Sequence, residues 1–332
     1  MADGNLSTYD DGAEFIDSNH DGDYERIVIT FTDGATGDDD LLVNNQIIDP
    51  GFIGQATIIR HTIIGTPKAD QLLGTQASDN IIGLAGADLI LGGRGDDWIR
   101  SNVGNDTVRG GLGNDSLFGG SGDDIFSGSV LGDDQYYGGT GHDTVDYLLA
   151  NEGVTITLGQ SDAQNVSVNS GNDKFNNIEN LNGSAYDDSL IGNSGSNQLI
   201  GRGGGDYLQG LGRADVLIGG RGNDFLSGGL GHDTLMGGAG NDHFIFNGAL
   251  AAAHSDIIID FKSGTDVIEL SASVFKAFAG QIGQKVGLSE ILSYEAETGS
   301  LSYDAGNAAV TLAILGVSTH PILLGNDFLI VA

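Results

Sequence analysis

The 332 residues contain no cysteine and only 3 prolines. The first absence excludes a disulfide framework. The second, set against 56 glycines, excludes collagen and argues against proline-type linkers. Basic residues are scarce as well: 13 Lys and Arg face 46 Asp and Glu, a formal charge of −33. So negative a chain is a poor partner for nucleic acid or an anionic membrane surface. No apolar run reaches membrane-spanning length. The first residues, MADGNLSTYDDG, have neither a basic stretch nor an apolar one, so they do not read as a secretory signal peptide. Motifs of common hydrolases are missing: there is no H-E-x-x-H and no G-x-S-x-G. The seven His are scattered, and His142, His232 and His243 read as solvated side chains in repeat turns or strands.

What is present is a period. Residues 219–245 read GGRGNDFLS, GGLGHDTLM, GGAGNDHFI, one nine-residue unit three times over. The pattern is Gly-Gly-x-Gly-x-Asp-x-apolar-x, and a fixed short period marks a solenoid. In Gly219–Ser227, the glycines permit positive φ and close approach, Asp224 offers a short carboxylate, and Leu226 is the obligatory apolar residue. Strand side chains alternate, so three extended residues put only the middle one inward, and the other six form a turn. Two units then make an eighteen-residue coil with two strands facing across a core. Residues eighteen apart stack in one parallel sheet. The acids are 38 Asp against 8 Glu, a preference that suits short ligands in tight turns rather than a generally acidic surface.

Stacking coils at about 4.8 Å stacks the Asp carboxylates into a self-repelling column. A hard cation with six to eight oxygen ligands at about 2.4 Å removes that repulsion. Calcium tolerates mixed carboxylate and carbonyl shells, whereas magnesium demands a strict octahedron. On these repeats the chain resembles RTX proteins, the repeat-bearing substrates of bacterial type I secretion. The resemblance implies an all-β parallel β-roll stacked on calcium, with two nonapeptides per turn, a short β N-terminal segment and a β-rich cap containing a short helix.

Residues 1–64 are not repeats. In DSNHDGDYE, Asp17, Asn19, Asp21 and Asp23 have the spacing of the first half of a calcium loop. The twelfth position is Val28, so the bidentate Glu of an EF-hand is lacking. The expectation is a small calcium turn leading into the strand ERIVITF, with a plain acidic loop as the alternative. A second acidic turn and short strand follow in 32–51, and the strand ATIIRHTII leads into the repeats. Parts of this stretch resemble the tails of β-modules in bacterial surface proteins, which suggests covalently linked upstream domains.

The first block, 65–146, places Asp70, Asp79, Asp88, Asp97, Asp106, Asp115, Asp124, Asp134 and Asp143 at sixth positions. Its first two units, GTPKADQLL and GTQASDNII, lack most glycines and are expected to bind metal weakly. Residues 147–182 break the period and are expected to continue the solenoid as longer strands. The second block, 183–245, places Asp188, Asn197, Asp206, Asp215, Asp224, Asp233 and Asp242 at sixth positions. Asn197 lacks the charge, which weakens the sites it shares. All sixteen eighth positions of the two blocks are apolar or aromatic. Pairing sixth positions eighteen apart gives about 8–12 calcium ions.

Residues 246–332 form the cap. SDIIIDFKSGTDVIELS is similar to the segment that follows the repeats in secreted RTX proteases and lipases. Asp256, Asp260 and Asp266 are candidates for a last site, with plain surface acids on strand ends as the alternative. SASVFKAFAG reads as a short helix with a Ser cap and a terminal Gly, and SLSYDAGNAAVTLAIL as a hairpin. The ending NDFLIVA is similar to the uncleaved secretion signal of type I substrates, apart from the extra Ala332. One outer column of the second block, Ile200, Ile218 and Met236, is apolar without need. It is expected to be covered by residues 246–332 folding back, with Phe275, Phe278 or Ile282 in contact; tolerated surface residues and a homodimer contact are the other readings.

The function that the resemblance implies is a non-enzymatic calcium-binding module. It is expected to stay unfolded at low cytosolic calcium, to leave through type I secretion machinery by way of its C-terminal region, and to fold outside the cell or at its surface. The charge of −33 independently supports calcium-coupled folding. Two other readings stay open: the glycan-binding accessory module of a polysaccharide-modifying epimerase or lyase, with an extracellular polysaccharide as partner, or the C-terminal part of a surface adhesin.

Overall fold

The computed structural model describes residues 14–16, 26–28 and 61–332, apart from 129–130, 168–170, 250–254, 290, 305, 307–308, 317–319 and 325–326. The candidate turn of Asp17, Asn19, Asp21 and Asp23 and the stretch 32–60 lie outside these residues. The short strands Glu14–Ile16 and Arg26–Val28 pair antiparallel.

From His61 onward the chain winds as a parallel β-solenoid. Register fixes the winding: Leu208 lies beside Leu226, and Leu217 lies beside Leu235, each eighteen residues on. The eighth positions form the core. Ile81, Ile90, Ile99, Val108, Phe126, Leu190, Leu208 and Leu226 are completely buried. Only Leu72, in the first unit at the open end, is half-buried.

Many repeat strands are longer than the three residues expected. Val216–Arg221, for example, runs through the Gly-Gly-x of the following unit, with Gly220 pairing with Gly238. The reason is the glycine backbone: Gly220 sits at φ 115 and Gly238 at φ 99, so the chain bends without leaving the sheet. The turn shrinks to the fourth to sixth positions.

One sheet runs the whole length of the roll. It has 13 strands, from Gln71–Leu73 at one edge to Leu292–Glu295 at the other. The opposite side is divided between a 7-stranded sheet serving the first block and an 8-stranded sheet serving the second. The division falls in residues 147–182. The strands there, Thr155–Thr157, Gln164–Ser167, Gly171–Asn176 and Asn180–Asn182, are no longer than those of the repeats, which corrects the expectation of longer ones. Asn180–Asn182 carries the continuous sheet across by pairing parallel with both Thr144–Asp146 and Gln198–Gly203. Gln164–Ser167 turns antiparallel onto Gly171–Asn176 and closes the first half-sheet, while Thr155–Thr157 opens the second. Tyr147, fully buried, fills the core at this joint.

The C-terminal region extends the roll. Val310–Leu315 adds parallel to Asp256–Ile258, and Phe328–Val331 adds parallel to Val267–Ser271. Antiparallel strands then end both sheets: Ser300–Tyr303 with Leu292–Glu295 on one side, and Lys285–Val286 on the other. The predicted hairpin is present. The predicted helix is a single 3-10 turn, Lys276–Phe278, with no side-chain cap. Its start is fixed by the Ser271 carbonyl, which accepts from the Val274 and Phe275 amides. Phe275 and Phe278 turn inward onto Tyr303, with ring centroids 5.0 and 6.0 Å away, and this packing leaves no length for a regular helix.

This growth along the roll axis overturns the fold-back expected over Ile200, Ile218 and Met236. Those three are half-buried in a column of the continuous sheet. Phe275 and Phe278 serve the cap's own core, and Ile282 is exposed.

Candidate metal ladder

The sixth-position carboxylates form a hydrogen-bonded column on each side of the roll. The amide of Asp88 donates to Asp106 Oδ1 at 2.8 Å, Asp106 to Asp124 Oδ1 at 2.9 Å, and Asp124 to Asp143 Oδ1 at 2.9 Å. On the opposite side of the first block, Asp79 donates to Asp97, Asp97 to Asp115, and Asp115 to Asp134. In the second block Asp188, Asp206 and Asp224 form one series, each donating to the next and Asp224 to Asp242. Asn197, Asp215, Asp233 and Asp256 form the other. One oxygen of each carboxylate is thereby fixed by the coil before it.

The second oxygen is different. Oδ2 of Asp88, Asp106, Asp124, Asp143, Asp206, Asp215 and Asp224 is buried and has no hydrogen-bond partner. Except at Asp106, whose unit opens with Ser101, it packs against the first glycine of its own unit. A Cβ added at Gly219 would lie 2.3 Å from Asp224 Oδ2 and 2.7 Å from the Gly237 carbonyl of the next coil. Glycine at this position therefore makes room for a carboxylate oxygen and a carbonyl oxygen on the same side of the chain.

Burial is the main cause that pushes these acids up, and neighbouring carboxylates add to it. Asp124, Asp206 and Asp215 rise to about 7, and Asp143 and Asp224 to about 6. Asp134 rises to about 8, chiefly by burial, with Asp173 and Asp115 contributing. A buried anionic oxygen without a donor is costly, and a bound cation removes the cost. Among the described residues no three side chains of His, Cys, Asp and Glu gather round one point. A cation on the ladder must therefore complete its shell with turn carbonyls. That donor set suits calcium and does not suit zinc.

The roll also holds ladder members that the sequence pattern did not single out. Asp173 takes the sixth position before Lys174 and Phe175; its Oδ1 accepts from Asp134 at 3.0 Å and its Oδ2 from the Tyr147 hydroxyl at 2.9 Å. The G-N-D of residues 171–173 was the available signal. Glu179 stands in the other column, where its Oε2 accepts from the Asp143 amide. Here a longer acid reaches the place of an Asp, which a search for Asp alone cannot find.

The C-terminal candidates divide. Asp256 continues the column under Asp233, and burial lifts its carboxyl to about 8. Asp260 leaves the ladder: its oxygens accept from the Gly237 and Gly238 amides at 3.0 and 2.8 Å, capping the last turn of the second block. His243 is not a solvated side chain. Its ring packs on Phe225, and Nδ1 meets Glu269 Oε1 at 2.5 Å. His232 Nδ1 lies 2.9 Å from the Ser255 carbonyl.

Two outer-face features brace the roll. Asp146, at the end of the first block, is gripped by Arg202 of the second through bonds of 2.8 and 2.7 Å. Burial works to raise the Asp146 carboxyl, but Arg202, Asn182 and the Leu148 amide outweigh it and hold it below its ordinary range. On the first half-sheet, Phe118 stacks between Trp98 and Tyr137, at 5.5 and 4.6 Å between ring centroids.

The sequence matches the family model for the RTX calcium-binding nonapeptide repeat over residues 64–99, 100–130, 131–145, 175–208 and 209–244. No curated protein matches the chain. Among solved structures, the extracellular lipase LipA from Serratia marcescens is similar at 15% identity and a TM-score of 0.20, over 81% of this chain and 42% of the lipase. The repeats of this family bind several calcium ions, and the ladder supplies the buried oxygens that such ions require; the chain is an RTX protein built as a calcium-binding β-roll.

Proposed function

We propose that this β-roll is a calcium-triggered folding module, exported through type I secretion machinery and without catalysis of its own. The observation that carries the reading is the row of buried Oδ2 atoms with no donor. With calcium, Asp88, Asp97, Asp106, Asp115, Asp124, Asp134, Asp143, Asp206, Asp215, Asp224, Asp233 and Asp242 share ions with turn carbonyls. Calcium there neutralises charge and links one coil to the next. Without it the net charge of −33 opposes compaction, and the chain stays extended. Extracellular calcium modules work at about 10⁻⁴–10⁻³ M, a range that separates the cytosol from the outside.

The cap supports this order of events. Its last strand, Phe328–Val331, docks on Val267–Ser271 and so templates the next coil of the second block. Residues 246–332 leave the exporter first and fold first, and the roll zips on behind them. The test is export from cells that carry a type I apparatus. The full chain is expected in the medium, and a chain lacking 246–332 is expected to stay inside. Equal export of the two would overturn the reading.

A further inference from the structure

Among the described residues, the second residue of a nonapeptide has either a positive or an ordinary φ, and in the turns named below the ladder carboxylate differs with it. In the first state φ is positive. Gly120, Gly139 and Gly220 lie at 113, 120 and 115°, and Leu84, Asn102, Arg202 and Leu211 lie between 76 and 82°. The carboxylates four residues on are Asp124, Asp143, Asp224, Asp88, Asp106, Asp206 and Asp215, all seven with an unpartnered Oδ2.

In the second state the residue has no positive φ, and its amide closes onto the carboxylate. Thr66 donates to Asp70 Oδ2, Thr75 to Asp79 Oδ2 and Ser184 to Asp188 Oδ2, each at 2.6 Å. Lys262 donates to Asp266 Oδ2 at 2.7 Å, and Asn193 to Asn197 Oδ1 at 2.8 Å. The hydroxyls of Thr75 and Ser184 add bonds of 3.0 and 2.9 Å to the same carboxylates. Burial does not separate the two states: Asp79 is as fully buried as Asp124. Backbone direction does. A positive φ turns the amide away, and an ordinary φ points it at the oxygen.

We propose that the second residue of each unit decides whether its turn takes calcium or closes on itself, and that each block opens with one complete calcium-free coil. The proposal rests on the calcium reading above. The closed turns are not scattered. Asp70 and Asp79 belong to the first coil of block one, Asp188 and Asn197 to the first coil of block two, and Asp266 to the turn after it. In each opening coil both columns start from a carboxyl or amide already satisfied by the chain. The calcium-requiring turns of each block thus follow a coil whose ladder oxygens are already satisfied by the chain. The weak metal binding expected of GTPKADQLL and GTQASDNII then becomes none, with a stated cause. Asp79 and Asp188 leave the set of metal ligands.

The test is calcium-specific anomalous diffraction from the full chain crystallised in calcium. Peaks are expected beside the open carboxylates, Asp124 and Asp224 among them, and none beside Asp70, Asp79, Asp188, Asn197 or Asp266. Calcium bound to Asp79 or Asp188 Oδ2 as fully as to Asp124 would overturn the proposal while leaving the calcium reading intact. A map without calcium anywhere would overturn both. In solution, Thr75→Gly is expected to raise the calcium count in native mass spectrometry by one, and an unchanged count from the folded variant would contradict the assignment.

Discussion

At the residue scale the ladder is a set of acids whose neutral and charged forms favour different states of the chain. Asp124, Asp206 and Asp215 reach about 7 in the calcium-free fold, against 3.8 for an ordinary Asp. The fold therefore binds more protons than the unfolded chain. Its stability is fully present below about 3.8 and is lost as pH rises through the folded values, up to about 8 at Asp134. In calcium-free buffer, β content by circular dichroism is expected to be higher at pH 5 than at pH 8. Calcium affinity is expected to fall on the same acidification, because the ion must displace those protons. Loss of calcium-free β structure on going from pH 8 to pH 5 would contradict the cause given for the shifts.

Two further residue-scale changes separate sterics from strain. Gly219→Ala sets a Cβ 2.3 Å from Asp224 Oδ2. It is expected to cost the calcium-loaded roll about 1–3 kcal/mol in denaturant unfolding, as overpacking does. Leu211 instead bears a side chain at φ 82 and is exposed on the surface. Leu211→Gly relieves the left-handed strain, at some cost in unfolded-state entropy, and is expected to raise stability by up to about 1 kcal/mol. Arg202 carries the same strain at φ 79 but also grips Asp146. Arg202→Gly is therefore expected to gain less than Leu211→Gly. An equal or larger gain would show that the ion pair contributes nothing.

At the scale of the element, what the sequence makes legible follows from side-chain chemistry with a period. The eighth positions were readable because apolar residues at a spacing of nine have one explanation, and Leu208, Leu217 and Leu226 are fully buried as expected. The Asp column was readable for the same reason. Properties carried by the backbone were not. That a strand runs on through Gly220 depends on a dihedral, and so does the closing of Thr75 onto Asp79. Ladder members outside the period were also hidden: Glu179 is the wrong acid, and Asp173 lies thirty-nine residues beyond its partner Asp134. The short helix failed as a forecast because Phe275 and Phe278 pack against Tyr303, a contact that no local pattern announces.

At the scale of the whole molecule, one continuous sheet couples the two blocks while the divided sheet leaves a joint between them. Tyr147 fills that joint and donates to Asp173 Oδ2, so that oxygen, unlike those of the open turns, has a partner within the chain. The blocks are expected to fill with calcium in sequence from the cap inward. On the proposed function, calcium, and not side-chain packing alone, holds the roll together. Far-UV circular dichroism of the full chain at pH 7.5, first in excess chelator and then through a calcium titration, tests it most directly. The spectrum of a largely disordered chain is expected in chelator, with a cooperative rise of β structure as calcium approaches millimolar levels. The same full β spectrum in chelator as in calcium would contradict it.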